Sequence, residues 1–257
     1  MLSWFEINGM EANPTKFQSM LITSNKRSLD NMVIHLNGSI IKHTDHFKAL
    51  GVIIDSHLKF DKHVDYMCNK AGRQVNALQR LKGTLDSETR LTIYKSFILS
   101  QFNYCTVLWM FTGNKQLKKI DRLQERSLRF VLKEYKSSCS LLLQTSKVTT
   151  IRRLCLNYLS NEMYKCIMEY NPDYLNHMFT LKDTKYGLRN SYILSIPKVK
   201  TTRYGLKSLK YYGAKIWNMI PEDIKRSQSL PIFKERIKLW NGPNCKCTIC
   251  SLYVIIS

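Results

Sequence analysis

The chain has 257 residues, 44% of them hydrophobic, which is enough to bury one sizeable core or two small ones and excludes a disordered polymer. Forty Lys and Arg against nineteen Asp and Glu give a net charge of +21 and a pI near 9.7, an imbalance that points to a polyanionic partner; the alternative is a basic surface with no specific ligand. No stretch approaches the roughly 18–20 uncharged apolar residues of a membrane span, and Glu6 and Glu11 stand where a secretory signal would be basic and then apolar. The expectation is an intracellular protein, in nucleus or cytoplasm, without a membrane partner. Its eight cysteines are spread through helix-like segments apart from a terminal cluster, as small buried thiols of a reducing compartment would be.

In chain order, WFEINGMEANPTKFQSMLIT (4–23) reads as a helix already running at the start, a turn at Asn13-Pro14 and a strand. Alternation in residues 17–23 and Asn37-Gly38 between two β-branched runs predict a small antiparallel sheet with a two-residue hairpin. FKALGVII (47–54) is a continuous apolar run with one glycine, consistent with a buried strand that bends at Gly51.

After Asp61 the period becomes helical. Val64, Met67, Cys68, Ala71, Val75, Leu78 and Leu81 share a face until Gly83 stops the pattern. A second helix starts at Asp86 or Ser87, with Leu91, Tyr94, Ile98, Phe102 and Cys105 on one face; a third starts at Asn114, with Leu117, Ile120, Leu123, Leu128 and Val131. A break at residues 136–138 precedes a fourth, 149–170, ended by Asn171-Pro172. Residues 182–212 are basic and rich in Tyr, Thr and Ser, and short helices are expected at 213–219 and 230–240. The expected fold class is α+β: a small antiparallel β part, then a mostly α-helical bundle, then an irregular basic α region.

The order of several motifs carries a resemblance. WFEINGMEANPTKFQSMLIT, FKALGVIIDSHLKFDKHVDYMCNKAGRQVNALQRLKG, LTIYKSFILSQFNYCTVLW and IDRLQERSLRFVL, with the later YGLRNS, KTTRYGLKSLKYYGAKIWNMIP and SLPIFKERIKLW, resemble the downstream part of the reverse transcriptase of LINE-type, non-long-terminal-repeat retrotransposons of the jockey-like kind. The likeness runs from about Trp4 to Cys250. It implies the end of a palm domain at 1–60, a helical thumb at 61–136, a basic C-terminal region at 137–240 and a cysteine-containing tail at 241–257. The parent activity would be RNA-directed DNA synthesis with Mg2+.

In that family the Tyr-Ala-Asp-Asp turn that holds the metals lies upstream of the matching stretch. This chain contains no Asp-Asp pair, and Asp30, Asp45 and Asp55 are dispersed. The expectation is a fragment with no cofactor of its own, inactive alone and lacking the N-terminal half of the polymerase, that keeps a surface for RNA and RNA/DNA hybrid.

The resemblance also implies residue roles. Lys16, in NPTK, takes the place of a lysine beside the incoming triphosphate, or is an exposed turn lysine. Lys48 and Gly51, in FKALGV, fall in a hairpin that supports the primer end. Lys70, Arg73, Arg80 and Lys82 on the first long helix, and Lys115, Lys118, Lys119, Arg122, Arg126 and Arg129 on the third, would contact phosphates; a solvated helix face is the bland alternative.

Tyr186, Tyr192, Tyr204, Tyr211 and Tyr212 among the later cations suit single-stranded RNA, or the packing of a helical module. Trp217 and Trp240 are assigned to packing. Cys245, Cys247 and Cys250 are spaced to put three thiolates on one zinc, with no fourth ligand following, or they are thiols on a tail. His57 and His63 read as surface residues. Two further readings are a host-adopted helical protein-interaction module and a decayed, non-functional element.

Overall fold

The computed structural model describes residues 2–11, 13, 16–23, 33–36, 38–81, 83–182 and 192–243. The chain divides into two compact units, Met1–Asp65 and Tyr66–Ser257.

The described residues of the first unit form a short helix, α1 (Leu2–Ile7), and five strands: β1 (Gln18–Ser19), β2 (Ile34–Leu36), β3 (Ser39–His43), β4 (His46–Ala49) and β5 (Val52–Asp55). β2 and β3 pair antiparallel with Leu36 opposite Ser39, the hairpin expected of Asn37-Gly38; Gly38 takes φ +72°, as a two-residue turn of this hand requires. β1 departs from the expected all-antiparallel sheet, since it is only two residues long and pairs parallel with Lys42 and His43 of β3.

The run 47–54 is not one buried strand. β4 and β5 fold back antiparallel, with Ala49 opposite Val52, so Leu50 and Gly51 form the turn at φ +45° and +89°. Leu50 at the tip is 92% exposed, whereas Val52 is buried. Asp55 ends β5 by accepting from the backbone amides of His57, Lys59 and Phe60, and the chain turns into α2 (Asp61–Arg80).

His63, in the first turn of that helix, is buried. Its Nδ1 accepts from the backbone N–H of Ile53 at 3.3 Å, a tertiary hydrogen bond that sequence spacing does not reveal.

The second unit is helical. α3 (Ser87–Ile93) is capped by the Asp86 carboxylate, which accepts from the amides of Glu88 and Thr89. It runs into a π-helical turn (Tyr94–Leu99) and α4 (Ser100–Asn103). The expected continuous face ends here: Tyr94, Ile98 and Phe102 are buried, but Cys105 adopts a left-handed conformation (φ +46°) and breaks the helix before α5 (Thr106–Trp109).

α6 (Asn114–Leu132) follows, with Leu117, Ile120, Leu123, Leu128 and Val131 buried as its period demands. The break expected at residues 136–138 is present, and α7 (Cys139–Ser146), for which the sequence predicts no helix, follows it directly: Ser138 caps it, accepting from the Leu141 amide. α8 (Ile151–Ile167) is capped by Thr150. It is buried almost all round, and α5, α6 and the later helices pack on it.

α9 (Asp173–Asn176), α10 (Ala214–Met219), α11 (Glu222–Lys225) and α12 (Leu230–Leu239) complete the unit. Their core gathers Met163, Tyr164, Trp217, Ile220, Phe233 and Ile237, with the Tyr164 and Phe233 rings stacked 4.4 Å apart. Burying Trp217 there contributes on the order of 3–5 kcal/mol. Trp240 packs at the edge of the same core.

Of the five described cysteines, Cys68, Cys155 and Cys166 are the buried thiols expected; Cys105 is half-buried and Cys139 exposed. Among the described residues no helix is long and apolar enough to cross a membrane.

Candidate nucleic-acid interface

A groove of about 740 Å³ lies between α2 and α6 within the second unit. The helical period explains why it forms. On α2 the buried stripe leaves Tyr66, Asn69, Arg73 and Asn76 on an adjoining face, spaced three, four and three residues apart; on α6, Lys119, Arg122 and Arg126 repeat in the same way. Cys68, Gly72 and Leu123 make an apolar floor. A Cβ built on Gly72 would lie 4.0 Å from Leu123 Cδ1, so the helices meet closely at that point.

Among the described residues, four cations line this groove and no carboxylate does. Both acidic residues of α6 are engaged elsewhere: the Asp121 carboxylate is gripped by Arg152 Nε at 2.9 and 3.0 Å, and Glu125 pairs with Arg129 at 2.6 Å. The groove cations therefore face a site in which the nearby acids of their own helix are already paired. Arg126 is steered further, since its Nη2 donates to Asn76 Oδ1 across the groove. The arrangement suits an anion that follows the helix axes, with amides and a tyrosine hydroxyl among the cations as additional hydrogen-bonding groups.

Arg73, Lys119, Arg122 and Arg126 are thus brought together. Lys118 and Arg80 are exposed and Lys70 half-buried, none of them lining the groove. Arg129 turns to Glu125 and to the Tyr135 carbonyl beyond the end of α6. Lys82 lies outside the described residues. In the first unit Lys16 and Lys48 are exposed, Lys48 standing opposite Ile53 in the β4–β5 hairpin, and Gly51 is in its turn.

Tyr66, Asn69 and Asn76 are groove residues that a search for charge passes over; their spacing with Arg73 is the signal that finds them. Cys245, Cys247 and Cys250 fall outside the described residues, and among those described no three His, Cys, Asp or Glu side chains converge as a metal site.

Several other cations are internal. Arg90 is buried, donating to the carbonyls of Val131 (2.8 Å) and Leu85 (2.6 Å). Arg153 is buried and donates to the carbonyls of Ile237 (3.0 Å) and Trp240 at the end of α12; burial lowers its pKa. Lys225 lies over the Trp217 ring, 3.8 Å from Glu222, and burial draws its pKa down.

No protein-family model matches the chain, and no solved structure matches it. Over 99 residues, 37% of its length, it is 28% identical to the RNA-directed DNA polymerase from mobile element jockey of Drosophila funebris. The matching stretch spans 11% of that relative. Part of the chain is therefore similar in sequence to a short portion of a retrotransposon reverse transcriptase.

Proposed function

We propose that this chain binds RNA or RNA/DNA hybrid through the α2–α6 groove, as the template-primer grip of a LINE-type reverse transcriptase from which the catalytic carboxylate turn is missing. The observation that carries this reading is the lining: four cations, two amides and one tyrosine, with no acid. Such a surface holds phosphates by charge and geometry, independently of base sequence, and each contact releases counterions. Lys48 and Gly51 of the first unit, and Lys16, keep the primer-side and triphosphate-side roles that the resemblance suggests. Without an Asp-Asp pair the chain holds no two-metal centre of that kind and does not extend a primer by itself.

The test is an equilibrium binding series with hybrid duplex. If each of the four groove cations takes one phosphate, affinity should fall by on the order of a hundredfold between about 50 and 200 mM salt. The double variant Arg73→Glu, Arg122→Glu should weaken binding at least about tenfold, with a log–log salt slope shallower by about two. An unchanged slope in that variant removes the groove from the reading, and primer extension by the purified chain removes the claim of inactivity.

One observation favours a second reading, a helical protein-interaction module: Phe97, Tyr104 and Leu108 are 57, 49 and 48% exposed along the α3–α5 segment. A stoichiometric protein partner that survives nuclease and is lost on Phe97→Ser would favour it over the nucleic-acid reading.

A further inference from the structure

Residues 192–221 contain six Lys or Arg and no Asp or Glu. Of these, Lys198, Lys200, Arg203 and Lys210 are exposed. They sit on a loop held in one shape. Thr202–Leu206 forms a single π-helical turn, closed by Leu206 and Lys207 amides donating to the carbonyls of Thr201 and Thr202 at 3.0 Å each. Gly205 is buried in it, and a Cβ there would lie 2.7 Å from Val199 Cβ, so the turn closes on its own approach strand only with glycine. Single π turns are rare and are frequent at functional sites.

The side chains presented are Arg203 and Tyr204. Tyr204 is 40% exposed. Of the other described tyrosines in residues 192–221, Tyr212 is buried edge-on to Phe111, 5.5 Å away, Tyr192 packs against the core around Trp217, and Tyr211 is half-buried. The loop is fixed to the body beside the turn leading into α6, where Lys207 Nζ donates to the Thr112 carbonyl at 3.4 Å.

From this arrangement we infer a second contact, distinct from the groove: a single-stranded polynucleotide laid over the crest of the 198–210 loop, one base stacked on Tyr204 and its flanking phosphates held by Arg203, Lys198, Lys200 and Lys210. A partly exposed aromatic side chain on a fixed backbone turn, in a segment that carries cations and no acids, is the combination that recognises unpaired bases, because every base offers a π face while a duplex hides all but its ends. The groove, with its charge-lined walls, reads backbone; the loop adds the distinction between paired and unpaired nucleic acid.

The test uses the full chain and three probes across one shared salt series: a short oligouridylate, a blunt RNA/DNA hybrid and heparin. Tyr204→Ala should weaken oligouridylate binding about tenfold, leave hybrid and heparin within about twofold, and keep the salt slope unchanged, whereas Tyr204→Phe should retain wild-type affinity. Arg122→Ala, in the groove, should weaken all three and make the slope shallower by about one. The inference is overturned if the wild-type chain does not bind oligouridylate, if Tyr204→Ala leaves that binding unchanged, or if it weakens heparin equally. Each of these results leaves the groove reading to be decided by its own variants.

Discussion

The groove between α2 and α6 and the body packed around α8 use the same residue types in opposite ways. In the groove, Arg73, Arg122 and Arg126 stand among amides with no carboxylate. In the body, Arg90 and Arg153 are buried and spend their donors on carbonyl oxygens left over at helix ends: Val131 near the end of α6, Ile237 and Trp240 at the end of α12. A helix leaves its last carbonyls unpaired, and a planar guanidinium can serve two at once while its charge meets the negative end of the helix dipole. The difference teaches that a charge of +21 does not by itself measure a binding surface. The supply of local acceptors decides which arginines are structural and which remain for a ligand.

The sharpest way to break this contrast is to remove one arginine from each region. Arg153→Ala strands one buried and one part-buried carbonyl and opens a space beneath Gly242, whose added Cβ would sit 3.0 Å from Arg153 Nη1. The expected loss is about 3–4 kcal/mol, and Arg153→Lys should recover little of it because an ammonium does not reproduce the fork. Arg122→Ala should leave stability within about 0.5 kcal/mol while weakening hybrid binding. Urea midpoints and binding isotherms on both variants check the pair together. If Arg153→Ala left the midpoint unchanged, the division into structural and ligand-facing arginines would fail.

How far the sequence showed this contrast depends on which forces leave a local trace. The helical period exposed α2 and α6, and with them the face that carries Arg73, Lys119 and Arg122, because burial of one stripe is written every three or four residues. Asn37-Gly38 exposed the first hairpin through the backbone conformation it favours. The second hairpin left a weaker mark, because Leu50, an unusual residue at positive φ, shares its turn with Gly51. The break at Cys105 left none, with no glycine or proline to announce it.

Ser138 was visible but ambiguous: a serine after Lys136-Ser137 suits a loop as well as the cap of α7. The buried roles of Arg90, Arg153 and His63 depend on partners 41, 84 and 10 residues away, and a scan of the chain in short windows cannot register those.

His63 sharpens the contrast from a third side, as a buried base with neither an anion nor two carbonyls to hold its charge. Its Nδ1 accepts the Ile53 N–H, so the ring proton belongs on Nε2, which is buried without a hydrogen-bond partner. Burial, and then the charge of Lys48, lower its pKa from 6.5. Protonation would place an N–H against the Ile53 N–H. Because the unfolded chain binds the proton more readily, this contribution to stability is complete above the ordinary value of 6.5 and is lost as pH falls below it toward the depressed folded value. His63→Asn, which can keep an acceptor near Ile53 but does not titrate, should show a smaller fall in urea midpoint between neutral and mildly acidic pH than the wild type. Parallel curves for the two proteins would show that His63 does not report on burial in this way.

The smallest effect expected is at Gly72, in the groove floor, and it separates the two demands placed on α2. As a mid-helix residue glycine costs up to about 1 kcal/mol relative to alanine. A Cβ at this position would meet Leu123 Cδ1 at 4.0 Å, an ordinary contact that forces no movement. Gly72→Ala should therefore raise stability by about 0.5–1 kcal/mol. Hybrid affinity should be unchanged if phosphates are held by the walls, since the added methyl group has Leu123 Cδ1 as its nearest contact across the groove and comes within 4 Å of none of Lys119, Arg122 or Arg126. A stabilised variant that binds hybrid much more weakly would mean that the ligand reaches the floor, and that the glycine is kept for the ligand's approach and not for the packing of the two helices.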